Sequence, residues 1–274
     1  MANSSPSFTI SFIGGGNMAR ALVGGLVAAD HAADTITVAD PDADQRAALA
    51  RDTGVRTQAD NRAAVSTQRV VVLAVKPQVM DRVLEDIAPA LGSQTVVVSI
   101  AAGVTLARLE AALGRDRAIV RAMPNTPALF GAGMTGLVAN PACSRDDRNL
   151  AEQIFSAAGD IAWLDDEALM DVVTAVSGSG PAYFFALTEH LAEAGTSAGL
   201  APELAARLAR QTAVGAGVML NHSDLDAGEL RRRVTSPGGT TAAALAQLAD
   251  DGLKQLVDRA VDAGVRRGRE LGAG

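Results

Sequence analysis

The chain has 274 residues, enough for one large or two medium domains, and carries a formal net charge of −7. This negative charge argues against nucleic acid and anionic membrane surfaces as partners, because both attract positively charged proteins. Only 3% of the residues are aromatic, which leaves few rings on which single-stranded bases could stack.

The N-terminus and the single cysteine indicate where the protein works. Residues Met1 to Ser7 lack the basic start of a signal peptide, and the apolar run that follows is interrupted at Gly14. No segment offers the roughly 18 consecutive apolar residues of a membrane span. Cys143 is the only cysteine, so no intrachain disulfide can form. We expect a cytoplasmic protein that does not associate with membranes.

The first 165 residues alternate between short runs rich in β-branched residues and stretches of helical composition. The predicted strands are Phe8–Ile13, Thr35–Ala39, Val70–Val75, Thr95–Ile100 and Ala118–Ala122, with Gly136–Ala139 and Ile161–Leu164 expected at the sheet edge. The predicted helices between them are Met18–Ala29, Gln45–Arg51 and Val79–Ala90. This alternation predicts an α/β fold with a doubly wound, parallel, Rossmann-like sheet.

A glycine-rich turn joins the first predicted strand to the first predicted helix. Its sequence from Gly14 to Ala19 is G-G-G-N-M-A, which matches the dinucleotide fingerprint G-x-G-x-x-A. Gly14 makes the tight turn, Gly16 admits the pyrophosphate, and Ala19 lets the helix pack closely on the sheet. Glycine triplets also occur in ordinary turns, but here a strand precedes the triplet and a helix follows it. The predicted cofactor contacts in this turn are Gly14, Gly16, Asn17 and Met18.

Two further strand ends are predicted to contact the cofactor. Asp40 ends the second strand, where an acidic side chain accepts hydrogen bonds from the adenosine ribose and favours NAD over NADP. Asp40 can also be read as a turn residue before Pro41. Arg46 is the nearby base that could pair with a 2′-phosphate, so NADPH and NADH both stay open as cofactors. Lys76 follows the third strand and is predicted to contact the nicotinamide ribose, the alternative being a structural lysine.

After Asp165 no convincing strand follows, and long alanine-rich segments predict a C-terminal all-α domain. The predicted helices are Ala182–Ala198, Pro202–Leu220 and Leu253–Arg269. The apolar run from Ala213 to Leu220 is more than a lone bundle of this size needs, which predicts a helical dimer interface. The alternative is that this surface is buried within one subunit. We predict a dinucleotide-binding domain over 1–165 and a substrate and dimerisation domain over 166–274.

The segment from Ser236 to Thr241, S-P-G-G-T-T, precedes an alanine-rich stretch of helical composition. Pro237 restricts the backbone, and Gly238 and Gly239 allow close approach of a ligand to the unpaired N–H groups at the helix start. The segment therefore predicts an anion site. The alternative is an ordinary helix start in which Thr240 or Thr241 supplies the cap.

The chain offers no convincing base for the oxidation of a hydroxy acid. His31, His190 and His222 lie in no motif, and no lysine occurs between Lys76 and Lys254. An iminium substrate fits better, because it accepts hydride directly and needs only to be positioned by the protein. No metal site is predicted.

Five motifs taken together resemble the pyrroline-5-carboxylate reductase family, and the resemblance covers essentially the whole chain. The motifs are F-I-G-G-G-N-M-A from Phe12, A-V-K-P-Q from Ala74, R-A-M-P-N-T-P from Arg121, S-G-S-G-P-A-Y from Ser177 and S-P-G-G-T-T from Ser236. The resemblance implies NAD(P)H-dependent reduction of 1-pyrroline-5-carboxylate to L-proline, the last step of proline biosynthesis.

The resemblance also implies roles for the second half of the site. The turn at Ser236, Gly238 and Gly239 would hold the substrate carboxylate, and Thr241, near the ring nitrogen, would be the catalytic residue. The nicotinamide side would be lined by Met123, Pro124 and Asn125, in a segment whose two prolines otherwise predict a rigid loop. Ser177 would bind substrate, in a segment that caps the next helix and closes the pocket; the alternative is a plain helix start.

Family members form interlocked dimers, often assembled into decamers, with each substrate pocket at the dimer interface. The chain departs from the family at Asp40, where many relatives carry serine or arginine, and at Thr240, where some carry alanine. Other functions are reduction of another small cyclic imine, reduction of the oxo form of a β-hydroxy acid, or a non-catalytic dinucleotide-binding dimer.

Overall fold

The structure is a computed structural model that describes residues 8–272. The described residues form two compact units: the chain up to Ser179 together with the residues from Gly264 onwards, and Gly180–Ala263. The segment Met1 to Ser7, for which no signal peptide is predicted, lies outside the described residues. The functional division at residue 165 stays a prediction.

The first unit is built on an eight-stranded sheet with the order β3-β2-β1-β4-β5-β6-β7-β8. The strands are β1 Ile10–Ile13, β2 Ile36–Ala39, β3 Arg56–Gln58, β4 Val70–Leu73, β5 Val96–Ser99, β6 Ile119–Met123, β7 Gly133–Ala139 and β8 Gly159–Trp163. Neighbouring strands are parallel except for β6 and β7, in which Arg121 stands opposite Val138 in an antiparallel pair. The predicted α/β class with a parallel, Rossmann-like sheet is confirmed, and the β6–β7 pair is an antiparallel exception within it.

The order of the sheet reverses at β1, which lies between β2 and β4. Ile13 at the end of β1 is in register with Ala39 on one side and Leu73 on the other. The carboxyl ends of three strands therefore meet at one edge. In open α/β sheets, ligands bind in the crevice beside such a switch point.

Helices cover both faces of the sheet, as a doubly wound fold requires. They are α1 Asn17–Ala28, α2 Ala43–Thr53, α3 Asn61–Val65, α4 Met80–Ile87, α5 Leu106–Leu113, α6 Arg145–Ser156 and α7 Met170–Val173. On one face Leu22 of α1 packs in a fully buried cluster with Phe12, and on the other Leu84 of α4 does so with Leu73. In α4 the buried residues Met80, Leu84 and Ile87 recur at helical spacing, which gives this short helix one apolar stripe.

Several predicted boundaries move for identifiable reasons. The third predicted strand ends at Leu73 rather than Val75, because the chain turns after the Ala74 N–H pairs with the Ile13 carbonyl. The predicted helix over 79–90 is reduced to α4 between two 3₁₀ turns, Pro77–Val79 and Ala88–Ala90, since each contains a proline without a donor N–H. The strand β3 and the helices α3, α5 and α6 are not predicted from the sequence.

The second unit is helical throughout. Its helices are α8 Gly180–Ser197, α9 Pro202–His222, α10 Ala227–Arg233, α11 Thr240–Asp250 and α12 Leu253–Gly272, the last of which continues into the first unit from Gly264. At least nine large apolar side chains of α8 and α9 are 45–68% exposed on the single chain: Phe184, Phe185, Leu187, Leu191, Leu204, Leu208, Val214, Val218 and Met219. The alternative that this surface is buried within one subunit is therefore wrong. No helix in the described part of the chain has the length and apolarity to cross a bilayer.

Candidate active site

The turn between β1 and α1 can be formed only by glycine at its first position. Gly14 has a φ of +100°, and a Cβ on this residue would stand 2.6 Å from the carbonyl oxygen of Ala74. Its N–H donates to the carbonyl of Ala39 at 2.7 Å. The turn is thus held against the ends of both strands that flank β1.

The N-terminus of α1 is open. Gly16 is the N-cap, no side chain caps the helix, and its first turn contains no acidic residue. A Cβ on Gly16 would meet nothing within 4 Å, so the space before the helix is free. The first N–H groups of α1 can therefore bind an anion such as a pyrophosphate. Asn17 is exposed here, whereas Met18 is half-buried against the core.

Asp40 is buried at the end of β2, and both of its carboxylate oxygens accept backbone hydrogen bonds. Oδ2 accepts from the N–H of Gly15 at 2.7 Å, and Oδ1 accepts from the N–H of Asp42 at 2.9 Å. Arg46 donates to the carbonyls of Asp40 and Pro41 at 2.7 and 3.0 Å. Asp40 is thus a turn-forming residue, and its remaining lone pairs can still accept from a ligand hydroxyl.

A cleft of about 910 Å³ lies at the carboxyl ends of β1, β2 and β4. It is lined by the predicted residues Gly14, Gly16, Asp40 and Lys76, and by Asn61, Arg62 and Arg82, which sequence reasoning missed. The volume lies in the range of cofactor pockets, and the open helix N-terminus supplies the donors that a pyrophosphate needs, so these residues fit a dinucleotide. Asn17, Met18 and Met123–Asn125 are not among the residues that line this cleft.

Asp42 adds a second negative charge to the cleft lining. It is the N-cap of α2, and its Oδ1 accepts the N–H groups of Gln45 and Asp44. These hydrogen bonds hold the pKa of the Asp42 carboxyl below its usual value. The carboxylate is therefore ionised at neutral pH.

The segment after β6 is held by the buried side chain of Asn125. Its Nδ2 donates to the Ser177 carbonyl and its Oδ1 accepts from the Met134 N–H, both at 2.9 Å. The rigid loop expected here is wrong in detail, because residues 126–130 form a 3₁₀ helix with Pro127 in its first turn, where a missing N–H costs nothing. Pro124 is buried and Met123 half-buried.

Ser177 lies within a π-helical segment, Thr174–Gly178, between α7 and α8. Its Oγ donates to the Val173 carbonyl at 3.0 Å, so this side chain bonds back to the preceding turn, and the capping of the next helix by the segment that begins at Ser177 stays a prediction. A Cβ on Gly178 would stand 2.8 Å from the Cε of Met123, the flexible end of a side chain that would have to shift. The π segment and the end of β6 are therefore closely packed.

The predicted anion turn in the second unit also ends at an open helix N-terminus. Gly238 has a φ of +69°, and the Gly239 N–H donates to the Ser236 carbonyl at 3.0 Å. Gly239 is the N-cap of α11, with no side-chain cap and no acidic residue in the first turn. A cap from Thr240 or Thr241 is therefore absent from this described helix, and its first N–H groups can bind a carboxylate.

The structure also contains a partly buried ion pair that has no sequence signal. Arg121 of β6 donates to Glu167 at 2.7 Å, and the same carboxylate oxygen accepts from the Leu106 N–H at 2.8 Å. This pair joins the β6 end to the segment leading into α7. Among residues 8–272, no group of three His, Cys, Asp or Glu side chains could hold a metal ion.

The sheet order, the glycine turn and the open N-terminus of α1 define a dinucleotide-binding protein of the doubly wound class. Two family models match: one described as pyrroline-5-carboxylate reductase dimerisation over residues 167–271, and one described as NADP oxidoreductase, coenzyme F420-dependent, over residues 9–103. The pyrroline-5-carboxylate reductase of Pseudomonas aeruginosa is 50% identical to this chain over 96% of both chains. The chain belongs to the pyrroline-5-carboxylate reductase family.

Two solved structures support this assignment. A pyrroline-5-carboxylate reductase from Coxiella burnetii is 42% identical, with a TM-score of 0.93, covering 97% of this chain and 98% of that one. The Plasmodium falciparum pyrroline carboxylate reductase with NADP bound is 32% identical, with a TM-score of 0.83 and the same coverage. The family expected from the five motifs is confirmed.

Proposed function

We propose that this protein reduces 1-pyrroline-5-carboxylate to L-proline with NADH or NADPH, the last step of proline biosynthesis. The observation that carries the proposal is a pair of uncapped helix N-termini, one at the dinucleotide turn and one at the S-P-G-G-T-T turn. One suits a pyrophosphate and the other a carboxylate, the anionic groups of a dinucleotide and of a cyclic imino acid. The family membership supports the same pairing.

We propose that the cofactor lies along the cleft of the first unit. The glycine turn at Gly14 and Gly16 and the first turn of α1, at Asn17 and Met18, bind the pyrophosphate. Asp40 accepts from the adenosine ribose and Lys76 contacts the nicotinamide ribose; both line the cleft. Met123, Pro124 and Asn125 form the nicotinamide side, and the hydrogen bonds of Asn125 keep that segment in one conformation.

In the substrate site the turn at Ser236, Gly238 and Gly239 binds the carboxylate through backbone N–H groups, and Ser177 contributes a further substrate contact. Thr241, half-buried in the first turn of α11, is the catalytic residue and holds the ring nitrogen through its hydroxyl. The bound reduced nicotinamide supplies the hydride, and the ring nitrogen of the protonated imine receives the electron pair of the C=N bond. The residues of the chain therefore need only orient the ring and exclude water.

The histidines support a mechanism without a side-chain base. The ring of His31 bonds the Phe8 carbonyl and that of His222 bonds the Val218 carbonyl, both at 3.0 Å. His190 pairs with Glu193 at 2.9 Å, a contact that raises the pKa of this histidine. Each histidine ring is thus hydrogen-bonded within its own helix or to a nearby segment. We therefore propose the hydroxyl of Thr241, and not a histidine, as the polar group at the reacting nitrogen.

We propose a cytoplasmic homodimer, with a decamer as its higher assembly. We propose a cofactor domain over 1–165 and a substrate and dimerisation domain over 166–274. The dimerisation match over residues 167–271 and the exposed apolar side chains of α8 and α9 support a homo-oligomer. The partners are then a small-molecule substrate and further copies of this chain, without nucleic acid or membrane.

The test is a turnover assay with purified protein. Addition of pyrroline-5-carboxylate is expected to oxidise NADH or NADPH and to yield an equal amount of proline. If the reduced cofactor stays unoxidised while it binds, the protein is a non-catalytic dinucleotide-binding dimer. If another small cyclic imine is reduced and this one is not, the substrate assignment is wrong.

A further inference from the structure

We infer that the adenosine end of the cleft selects against a 2′-phosphate, so that this protein uses NADH in preference to NADPH. The inference rests on the proposed function, because it concerns the same cofactor site. It departs from the comparisons, in which one family model is described as an NADP oxidoreductase and one related structure holds NADP. The residues of this chain at the end of β2 carry the argument.

The carboxylate of Asp40 is fixed in place. Asp40 is 8% exposed, and its two carboxylate oxygens accept hydrogen bonds from the N–H groups of Gly15 and Asp42 at 2.7 and 2.9 Å. Rotation of the carboxylate away from the cleft would break both hydrogen bonds in a buried site. The Asp40 carboxylate must therefore stay turned towards any ligand that binds in this part of the cleft.

A ribose hydroxyl and a phosphate meet this carboxylate differently. A hydroxyl can donate to a lone pair of Asp40 that the backbone leaves free. A 2′-phosphate carries between one and two negative charges at neutral pH and its ionised oxygens only accept, so it is repelled and forms no hydrogen bond there. The ionised Asp42, which lines the same cleft, adds to the repulsion.

Two of the guanidinium groups nearby, those of Arg46 and Arg62, are engaged by other acceptors. Arg46, six residues after Asp40, donates to the carbonyls of Asp40 and Pro41. Arg62 is paired with Asp86 at 2.8 Å. Arg82 lines the cleft with Glu85 and Asp86, and its positive charge opposes the discrimination. An Arg82→Ala variant therefore belongs in the test.

The test compares the dissociation constants of NAD⁺ and NADP⁺, measured by calorimetry on the full-length protein without substrate. We expect NAD⁺ to bind about tenfold tighter or more, and we expect this ratio to shrink as salt is added, because it is electrostatic. In steady-state assays kcat/KM is expected to favour NADH in the same proportion. Equal or tighter binding of NADP⁺ would overturn the inference.

Asp40→Ser is expected to move the ratio towards NADP⁺ by about tenfold or more, since it removes the charge that repels the phosphate. Asp44→Ser is the matched control, because Asp44 lies in the first turn of α2 but does not line the cleft, and it is expected to leave the ratio unchanged. An equal shift in both variants would show a general charge effect and contradict the role of Asp40.

Two further measurements keep the inference testable if Asp40→Ser fails to fold. The wild-type ratio and its salt dependence need no variant. Arg82→Ala is expected to keep or increase the preference for NAD⁺, and loss of that preference would contradict the inference. Preference for NAD⁺ in a protein that does not turn over pyrroline-5-carboxylate would reject the proposed function alone, whereas turnover with preference for NADPH would reject this inference alone.

Discussion

The backbone N–H of Gly15 donates a 2.7 Å hydrogen bond to Oδ2 of Asp40. The bond joins the middle of the glycine turn to the end of β2, two segments 25 residues apart. The group that would hold the pyrophosphate and the group that would face the adenosine ribose are therefore parts of one hydrogen-bonded unit. A change at either residue is expected to alter both contacts.

Substitution of the two outer glycines of the turn, Gly14 and Gly16, is expected to have different effects, one on stability and the other on cofactor binding. Gly14→Ala should lower the free energy of unfolding by about 2 kcal/mol or more, because the residue has positive φ and its Cβ would contact the Ala74 carbonyl oxygen. Gly16→Ala has space for its Cβ and should leave stability nearly unchanged while weakening the binding of dinucleotide. Urea unfolding and cofactor titration of both variants check this. Equal stability of the two variants would contradict it.

Thr241→Ala is expected to lower kcat/KM by about tenfold to hundredfold, since the variant loses the hydroxyl proposed to hold the ring nitrogen. The dissociation constant of the cofactor should stay within about twofold, because the residue lies on α11 and not at the dinucleotide turn. Thr241→Ser keeps the hydroxyl and should recover most of the activity. If turnover and cofactor binding fall together in Thr241→Ala, the residue is structural.

Gly239→Val should damage substrate binding more than the fold. The φ of Gly239 is −81°, which any residue can adopt, but a Cβ would already stand 3.2 Å from the Ser236 carbonyl oxygen. The branched side chain would also cover the first N–H groups of α11. We expect a raised KM for pyrroline-5-carboxylate with a normal circular dichroism spectrum, and a smaller effect in Gly239→Ala. An unfolded Gly239→Val protein would reject this separation.

Asp147 is expected to make the fold sensitive to acid. Burial alone raises the pKa of this carboxyl, but hydrogen bonds from Ser144 and Arg69 outweigh burial and leave the pKa below its usual 3.8. Because the folded-state pKa is lower than the unfolded one, the stabilisation is complete above about pH 4 and is lost as the pH falls through the folded-state value.

Asp147→Asn should therefore cost about 1 kcal/mol or more at pH 7 and flatten the acid limb of stability below pH 4. Urea unfolding from pH 3 to pH 7 measures both effects. Asp146→Asn is the control, because Asp146 lies in the same helical turn as Asp147 but its carboxylate is exposed. Parallel acid limbs in wild type and Asp147→Asn would contradict the prediction.

Cys143 is expected to be unreactive in the native protein. Burial, with the nearby negative charge of Asp147, raises the pKa of its thiol to about 11. At pH 8 alkylation should be more than about 100-fold slower than for a free cysteine, because only the thiolate reacts. The rate of iodoacetamide labelling, followed by mass spectrometry, measures this, and labelling in urea provides the control. Rapid labelling of the folded protein would show that the thiol is accessible and ionised.

The strands that sequence analysis predicts well are those buried on both faces. β4 and β5 consist almost wholly of valine and are fully buried, so their composition alone indicates strand. β3 has three residues, Arg56–Gln58, and no periodicity of its own, because it is an edge strand held by its pairing with β2. The direction of β7 is equally invisible, since a run of apolar residues has the same composition in either direction.

In the candidate site, too, the sequence predicts the features that depend on local residues and misses those that depend on distant contacts. The glycine turn can be predicted because each glycine answers a local backbone requirement. Asn125 and Ser177 lie 52 residues apart, and no pattern in either segment indicates that one side-chain amide joins them. The Arg121–Glu167 pair could not be predicted for the same reason, because its two residues lie 46 positions apart. Arg62 and Arg82 of the cleft lie on exposed helix positions that resemble any solvated surface.

The exposed apolar side chains of α8 and α9 make protein concentration a variable of the fold. Phe184 and Phe185 are 65% and 68% exposed on the single chain, and large apolar surfaces of this kind are covered when subunits associate. Association of subunits then stabilises the native state and not the unfolded one. The melting temperature therefore rises with protein concentration. Dilution opposes folding in this chain as heat does, and a cell that makes little of the protein also makes it less stable.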